Sequence, residues 1–121
     1  MMVADKTTRL NPAVLSDLAQ DLLQAWQEAH GVTPGQATSL VGTDQLAILI
    51  EGAFSQAELK LAEDQAGEAL IRQYAKELLV LICDERLDQI EKAVGRRVLS
   101  SGINVNPDTD QVMFIFKLET Y

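Results

Sequence analysis

The 121-residue chain has little of what catalytic and metal-binding sites commonly depend on. It contains one cysteine and one histidine, so it can form no internal disulfide and cannot supply the ligands of a typical zinc site. Basic residues are also scarce, with 10 Lys and Arg against 18 Asp and Glu and a formal net charge of −8. Nucleic acid and anionic lipid surfaces attract the opposite charge, so neither is an expected partner. We expect no cofactor and no metal.

Long apolar runs are missing as well, and the sequence leads us to expect no secretory leader. The longest uninterrupted apolar run, Leu78 to Cys83, is far shorter than the roughly 20 residues that cross a bilayer. The first residues lack the apolar core and the small-residue cleavage site of a secretory signal. We therefore expect an N-terminal arm over residues 1–10, a single domain over residues 11–121, no insertion into a membrane and a cytoplasmic location.

The sequence predicts an amphipathic helix over residues 12–30. Asn11 is a suitable N-cap, Pro12 suits the first helical position, and Gly31 is placed to end the helix. Between them, apolar residues recur at spacings of three and four, which is the pattern of one helical face. They are Val14, Leu15, Leu18, Leu22, Ala25, Trp26 and Ala29.

Two further helices are predicted in the middle of the chain. Ser55 and Glu58 have the spacing of a capping box, which opens a short helix to about residue 62. A long helix is predicted from about residue 68 to residue 94, before a terminating Gly95. Residues 63–67, which precede it, are either a bend with a break at Gly67 or a continuation of the short helix. Its apolar stripe changes direction at residues 78–83. Residues 78–83 are apolar on every side of the helix. We therefore expect this part of the helix to be buried all round, since otherwise it would expose a costly apolar patch.

Two hairpins are predicted, one on each side of this helical middle. Strand-like runs at residues 37–41 and 45–51 flank a short turn, and runs at residues 97–105 and 111–118 flank a longer turn rich in Asn, Pro and Asp. The order is therefore α-ββ-α-α-ββ. The predicted fold class is α+β, with a four-stranded, mainly antiparallel sheet and with the long helix and the N-terminal helix packed on one face.

The strands carry apolar residues on both faces, and this pattern predicts a homodimer. The helices suffice to cover one face of the sheet, and a two-fold interface is the commonest way to bury the other. The candidate dimer or core residues are Leu78, Val80, Leu81, Met113 and Ile115. The alternative is a monomer in which the short helix and the N-terminal arm cover the second face.

Residues that could carry chemistry are few, and each also has a structural interpretation. His30 lies at a helix end, where a cationic side chain interacts favourably with the helix dipole. Cys83 lies in an apolar stretch beside Asp84, a setting typical of an inert thiol whose pKa is raised. Arg96 and Arg97 form a compact basic spot that, with His30, could contact a small anion or an acidic partner. No catalytic constellation is recognised, so the chain is not expected to be an enzyme.

Several segments carry a resemblance to a known family. They are Gly31-Val32-Thr33-Pro34, Glu51-Gly52-Ala53-Phe54-Ser55-Gln56-Ala57-Glu58, Val94-Gly95-Arg96-Arg97-Val98 and the apolar last strand. These segments resemble the MpsC-type domain, named for a sodium-translocating, membrane-potential-generating system. The resemblance covers roughly residues 18–118 and is most specific at Glu51, Gly52, Ser55 and Glu58. In structural terms, Glu51 ends a predicted strand, Gly52 forms a turn, and Ser55 and Glu58 form the capping box. The chain departs from the family where Ala53-Phe54 replaces a Val-Leu type pair and where Thr33-Pro34 replaces the usual Gly-Pro.

The resemblance implies a context but no reaction. The family has no established activity and offers no catalytic residues to carry over. Its name associates it with a membrane system linked to ion and inorganic-carbon uptake, and similar domains occur as signalling accessories. We therefore expect a non-catalytic cytoplasmic regulatory or adaptor protein with an unidentified, membrane-associated protein partner. The alternative is a small-anion or metabolite sensor that binds near Arg96 and Arg97.

Overall fold

The computed structural model describes residues 11–120, so the predicted N-terminal arm lies outside the described residues. The elements follow the predicted order α-ββ-α-α-ββ. They are α1 (Pro12–His30), β1 (Gln36–Val41), β2 (Gln45–Glu51), α2 (Gln56–Leu61), α3 (Gln65–Val94), β3 (Val98–Asn106), a 3₁₀ turn (Pro107–Thr109) and β4 (Gln111–Leu118).

Helix α1 has the predicted bounds because its caps are those that the sequence indicates. The Asn11 side chain accepts a hydrogen bond from the Ala13 backbone N–H, and Gly31 ends the helix in the left-handed conformation. The apolar stripe is buried at Leu15, Leu18, Ala19, Leu22, Ala25 and Trp26. This stripe packs on β1 and β2.

Helix α3 begins three residues earlier than predicted, because Asp64 caps it through the backbone N–H of Gly67. Gly67 is therefore part of the first turn rather than a break. A Cβ atom at this position would lie 1.8 Å from the carbonyl oxygen of Leu61, so only glycine allows α2 to end against the start of α3.

The four strands form one antiparallel sheet in the order β1-β2-β4-β3. Alternate side chains of the two central strands are buried under the helices, and they form the inner face of the sheet with Phe114 and Phe116 at its centre. Helix α1 packs on β1 and β2, whereas α3 packs on β3 and on α1. The predicted α+β architecture with both long helices on one face is confirmed.

The predicted all-round burial of residues 78–83 is wrong. Leu79, Ile82 and Cys83 are buried, but Val80 is 44% and Leu81 51% exposed. A helix packed on one layer buries only one side, and α3 has neighbours on only that side.

Candidate functional site

An aromatic cluster surrounds the single histidine at the end of α1. The ring of His30 stacks on Trp26, with centroids 4.4 Å apart, and meets Phe54 edge-on at 6.0 Å. The ring of Tyr74 on α3 is tilted against it, with the centroids 5.9 Å apart. The His30 side chain is only 1% exposed. A solute therefore does not reach the imidazole in this conformation.

Glu58 is the polar partner of this buried imidazole. Its Oε2 lies 2.7 Å from His30 Nε2, while its Oε1 accepts a hydrogen bond from the backbone N–H of Ser55. The Ser55 hydroxyl in turn accepts from the Glu58 N–H, so the predicted capping box is present. Nδ1 of His30 has no hydrogen-bond partner among residues 11–120. With Nε2 as the donor to Glu58, the neutral tautomer leaves Nδ1 as an acceptor only, which costs less than a buried N–H without a partner.

The turn after β2 is anchored to the far hairpin. The N–H of Gly52 donates to the backbone carbonyl of Asp110, and the N–H of Phe54 donates to the Asp110 carboxylate. Gly52 has φ +65°, and a Cβ there would lie 2.9 Å from the N atom of Gly35. Glu51 accepts a side-chain hydrogen bond from Gln36 on β1. The Glu51–Glu58 segment that carries the family resemblance therefore joins the sheet to the His30 cluster.

The basic spot after α3 is divided between two environments. Arg96 is buried, and its Nη1 donates to the carbonyl oxygen of Thr43 and lies 3.4 Å from the carboxylate of Asp44. Arg97 is exposed. Arg96 thus contacts the turn where β2 begins, whereas His30 belongs to the cluster beyond the end of β2. The structure does not bring His30 together with the two arginines.

Cys83 lies on the buried side of α3. Burial, and secondarily the neighbouring carboxylate of Asp84, raise the pKa of its thiol from 9.0 to about 11. The thiolate is the reactive form of cysteine, and it is suppressed here at neutral pH.

The sheet has an outer face that neither helix covers. Its residues alternate with those of the inner face, and the pairing of the strands places them in four rows across the sheet. The two middle rows are Leu40–Ala47–Ile115–Gly102 and Thr38–Leu49–Met113–Asn104. The two end rows are Gln45–Lys117–Ser100 and Gln36–Glu51–Gln111–Asn106. We call these fifteen residues the outer face; none of them is buried, and Lys117 and Glu51 are its two charged members.

A second accessible surface follows the side of α3 that points away from the sheet. Its residues have the spacing 4-3-4-3-4, which places them in one line along a helix. They are Leu70, Tyr74, Glu77, Leu81, Asp84 and Asp88, and we call them the α3 ridge. Leu70 is 61% and Leu81 51% exposed, and all three carboxylate residues are exposed. Among residues 11–120, no ion pair involves these three carboxylates.

The candidate dimer or core residues are distributed over three locations. Leu78 is partly buried against the core, Val80 and Leu81 are exposed on α3, and Met113 and Ile115 lie on the outer face. The sequence analysis missed Trp26, Tyr74 and Asp110 as members of the His30 cluster and its anchor. Asp110 adopts φ +57°, and only its position in a turn-rich segment hinted at this role.

Within the described residues 11–120, no three or more His, Cys, Asp or Glu side chains are grouped so that they could hold a metal ion. None of the described helices is long and apolar enough to cross a membrane.

Comparison with known proteins gives one match. The family model described as "Na+-translocating membrane potential-generating system (MpsC)" matches residues 13–120, which include all the described helices and strands except Pro12, the first residue of α1. No curated protein and no solved structure matches the chain. Because the family model spans the whole fold, from α1 to β4, the chain belongs to the MpsC family.

Proposed function

We propose that this protein is a non-catalytic adaptor that binds a basic, amphipathic helical segment of a membrane-associated partner. The observation that carries the proposal is the α3 ridge. Leu70, Tyr74 and Leu81 supply apolar contacts at helical spacing, and Glu77, Asp84 and Asp88 alternate with or follow them. A helix that lies along a neighbouring helix is recognised through this kind of repeat.

The charge of the ridge defines the chemistry of the partner. None of its six residues is cationic, and the whole chain carries a formal charge of −8. A partner segment with Lys and Arg beside its apolar residues would gain both apolar burial and favourable electrostatics. The cytoplasmic loops of membrane proteins carry an excess of Lys and Arg close to their membrane spans. The family description, which names a sodium-translocating system, is consistent with a partner of this kind.

The first experiment measures binding to a defined probe. The probe is a fluorescent 20-residue peptide with Leu at alternating spacings of three and four and Lys beside them, titrated with the protein at low and moderate salt. We expect saturable binding that weakens as salt is raised. The double variant Leu70→Ser/Leu81→Ser should weaken it by about tenfold, since two exposed apolar contacts are removed. The matched control Leu61→Ser/Leu99→Ser changes two other leucines that are also about half exposed and should bind like the parent.

A pair of charge variants distinguishes specific binding at the α3 ridge from a general attraction of a basic peptide to an acidic protein. Asp84→Lys on the ridge and Glu63→Lys outside it change the net charge equally, and both residues are exposed. The ridge variant should lose more affinity than the control. Equal losses for the two charge variants, or equal affinity of the two leucine variants, would refute the ridge as the binding surface.

The second experiment identifies the class of partner. The protein and its two double-leucine variants are used to capture proteins from detergent-solubilised membranes. The proposal expects a protein that is retained by the parent and by the Leu61→Ser/Leu99→Ser control but lost with the ridge variant, and that contains a basic amphipathic segment. A set of captured proteins that does not differ among the three would contradict it.

A further inference from the structure

The outer face of the sheet has the composition of an interface rather than of a solvated surface. Ile115, Met113, Leu49, Leu40 and Ala47 form its two middle rows with three small or polar neighbours. Charged residues are confined to the two end rows, although the chain as a whole is 23% charged. Depletion of charge at the centre, with a polar rim, is the pattern of protein–protein contacts.

We propose that the outer face binds a second copy of this chain, sheet against sheet, about a two-fold axis that runs across the strands. Lys117 lies in one end row and Glu51 in the opposite end row, on the neighbouring strand. The axis exchanges the two end rows. Each Lys117 is then offset sideways by one strand spacing from Glu51 of the other copy, across the gap of about 10 Å between the sheets, which these long side chains can bridge, and the pair forms twice. The face is thus complementary to itself in charge.

Side-chain size favours the same arrangement. The axis places one middle row over the other, so that Ala47 faces Leu49 of the second copy and Gly102 faces Asn104. In these two pairs, and where Thr38 faces Leu40, a smaller residue is opposed to a larger one, while Ile115 faces Met113 at the centre. The large side chains are thus spread over two sheets that pack about 10 Å apart. A two-fold axis along the strands would instead place Lys117 over Gln45 and Glu51 over Gln111 and would form no ion pair.

The size of the face sets the strength of the contact. Four strands at a spacing of about 4.8 Å, six to nine residues long, give a face of about 20 by 25 Å. A face-to-face pair therefore buries about 1,000 Å² in total, which is below the range of about 1,200–2,000 Å² typical of tight complexes. We expect a reversible dimer that dissociates at micromolar concentrations, not an obligate one.

The experiment is sedimentation equilibrium over about 1–300 μM protein. The average mass should rise from near the 13.3 kDa of one chain toward twice that value. Ile115→Lys should keep the mass near 13.3 kDa throughout, and thermal unfolding followed by circular dichroism verifies that this partly exposed position tolerates the change. Leu81→Ser on the α3 ridge is the matched control and should dimerise like the parent. This control also separates the dimer from the proposed function, which depends on the ridge.

Charge reversal tests the orientation. Lys117→Glu and Glu51→Lys should each weaken the dimer at least threefold, and the combined variant Lys117→Glu/Glu51→Lys should restore most of the loss. A mass that stays constant on concentrating the parent would overturn the proposal, and so would a full-strength dimer of Ile115→Lys, which would indicate pairing at a sheet edge. Failure of the combined variant to recover would overturn the orientation.

Discussion

Glu58 is predicted to contribute to stability through two contacts whose energies can be measured separately. Its Oε1 completes the capping box with the N–H of Ser55, and its Oε2 satisfies the buried Nε2 of His30. Loss of a capping interaction costs about 1 kcal/mol. An imidazole N–H left buried without an acceptor costs a further 1–3 kcal/mol, roughly. Glu58→Ala should therefore lower the free energy of unfolding by about 2–4 kcal/mol.

A double-mutant cycle isolates the histidine contact. His30→Phe keeps a ring for stacking on Trp26 but removes the nitrogen that needs Glu58. In that background, Glu58→Ala should cost only the capping loss of about 1 kcal/mol, so the coupling energy between the two sites should be about 1–3 kcal/mol. Urea unfolding followed by circular dichroism and by the emission of Trp26, the single tryptophan, supplies the four free energies. The exposed Glu63→Ala is the control and should change stability by less than about 0.5 kcal/mol.

If the effects of His30→Phe and Glu58→Ala add within about 0.5 kcal/mol, the reasoning is refuted. Additivity would mean that the 2.7 Å contact between His30 and Glu58 contributes nothing beyond what water provides to the separated groups.

Three further predictions concern the framework around these surfaces. Gly67→Ala should destabilise the protein by about 2–4 kcal/mol in urea unfolding, although alanine normally favours helices, because its Cβ would collide with the Leu61 carbonyl. Arg96→Met should lower the free energy of unfolding by about 1–3 kcal/mol, because methionine keeps an apolar stem but loses the hydrogen bonds to the Thr43 carbonyl and the Asp44 carboxylate. An unchanged free energy of unfolding in urea would contradict this. Burial raises the pKa of the Cys83 thiol to about 11, so the thiol ionises at lower pH in the unfolded chain than in the folded one. Protein stability should therefore fall as pH rises from about 9 toward 11. Cys83→Ala should flatten this dependence in thermal unfolding measured over the same pH range.

Local signals in the sequence account for most of the elements. The bounds of α1 could be predicted because Asn11, Pro12 and Gly31 act within one turn of the helix ends. The capping box at Ser55 and Glu58 is equally local. The start of α3 was predicted three residues too late, because a glycine such as Gly67 can have either of two structural roles. It can break a helix, or it can allow the close approach of another segment, and only the position of Leu61 shows which applies.

The sites depend on contacts that no local pattern contains. His30 and Glu58 are 28 positions apart, and Arg96 reaches Asp44 from 52 positions away. The sequence showed the types of residue but not which ones meet. The apolar stripe of α3 was also ambiguous. Leu81 belongs to the same apolar run as Leu79 and Ile82, but those two residues are buried whereas Leu81 is exposed. In contrast, the two apolar faces of the sheet were predictable, because side chains alternate strictly along a strand.

The position of β4 determines when the sheet can form. This strand is the last element in the chain order, yet it lies between β2 and β3 and supplies Phe114 and Phe116 to the core. The first hairpin and the helices can form as local units. The pairing of β2 with β4, however, closes a loop that contains the whole helical middle of the chain and β3. Such non-local closure slows folding. During synthesis, β2 therefore lacks its second pairing partner, and the core lacks Phe114 and Phe116, until residues 111–118 have left the ribosome. In this period the nascent chain is most exposed to aggregation.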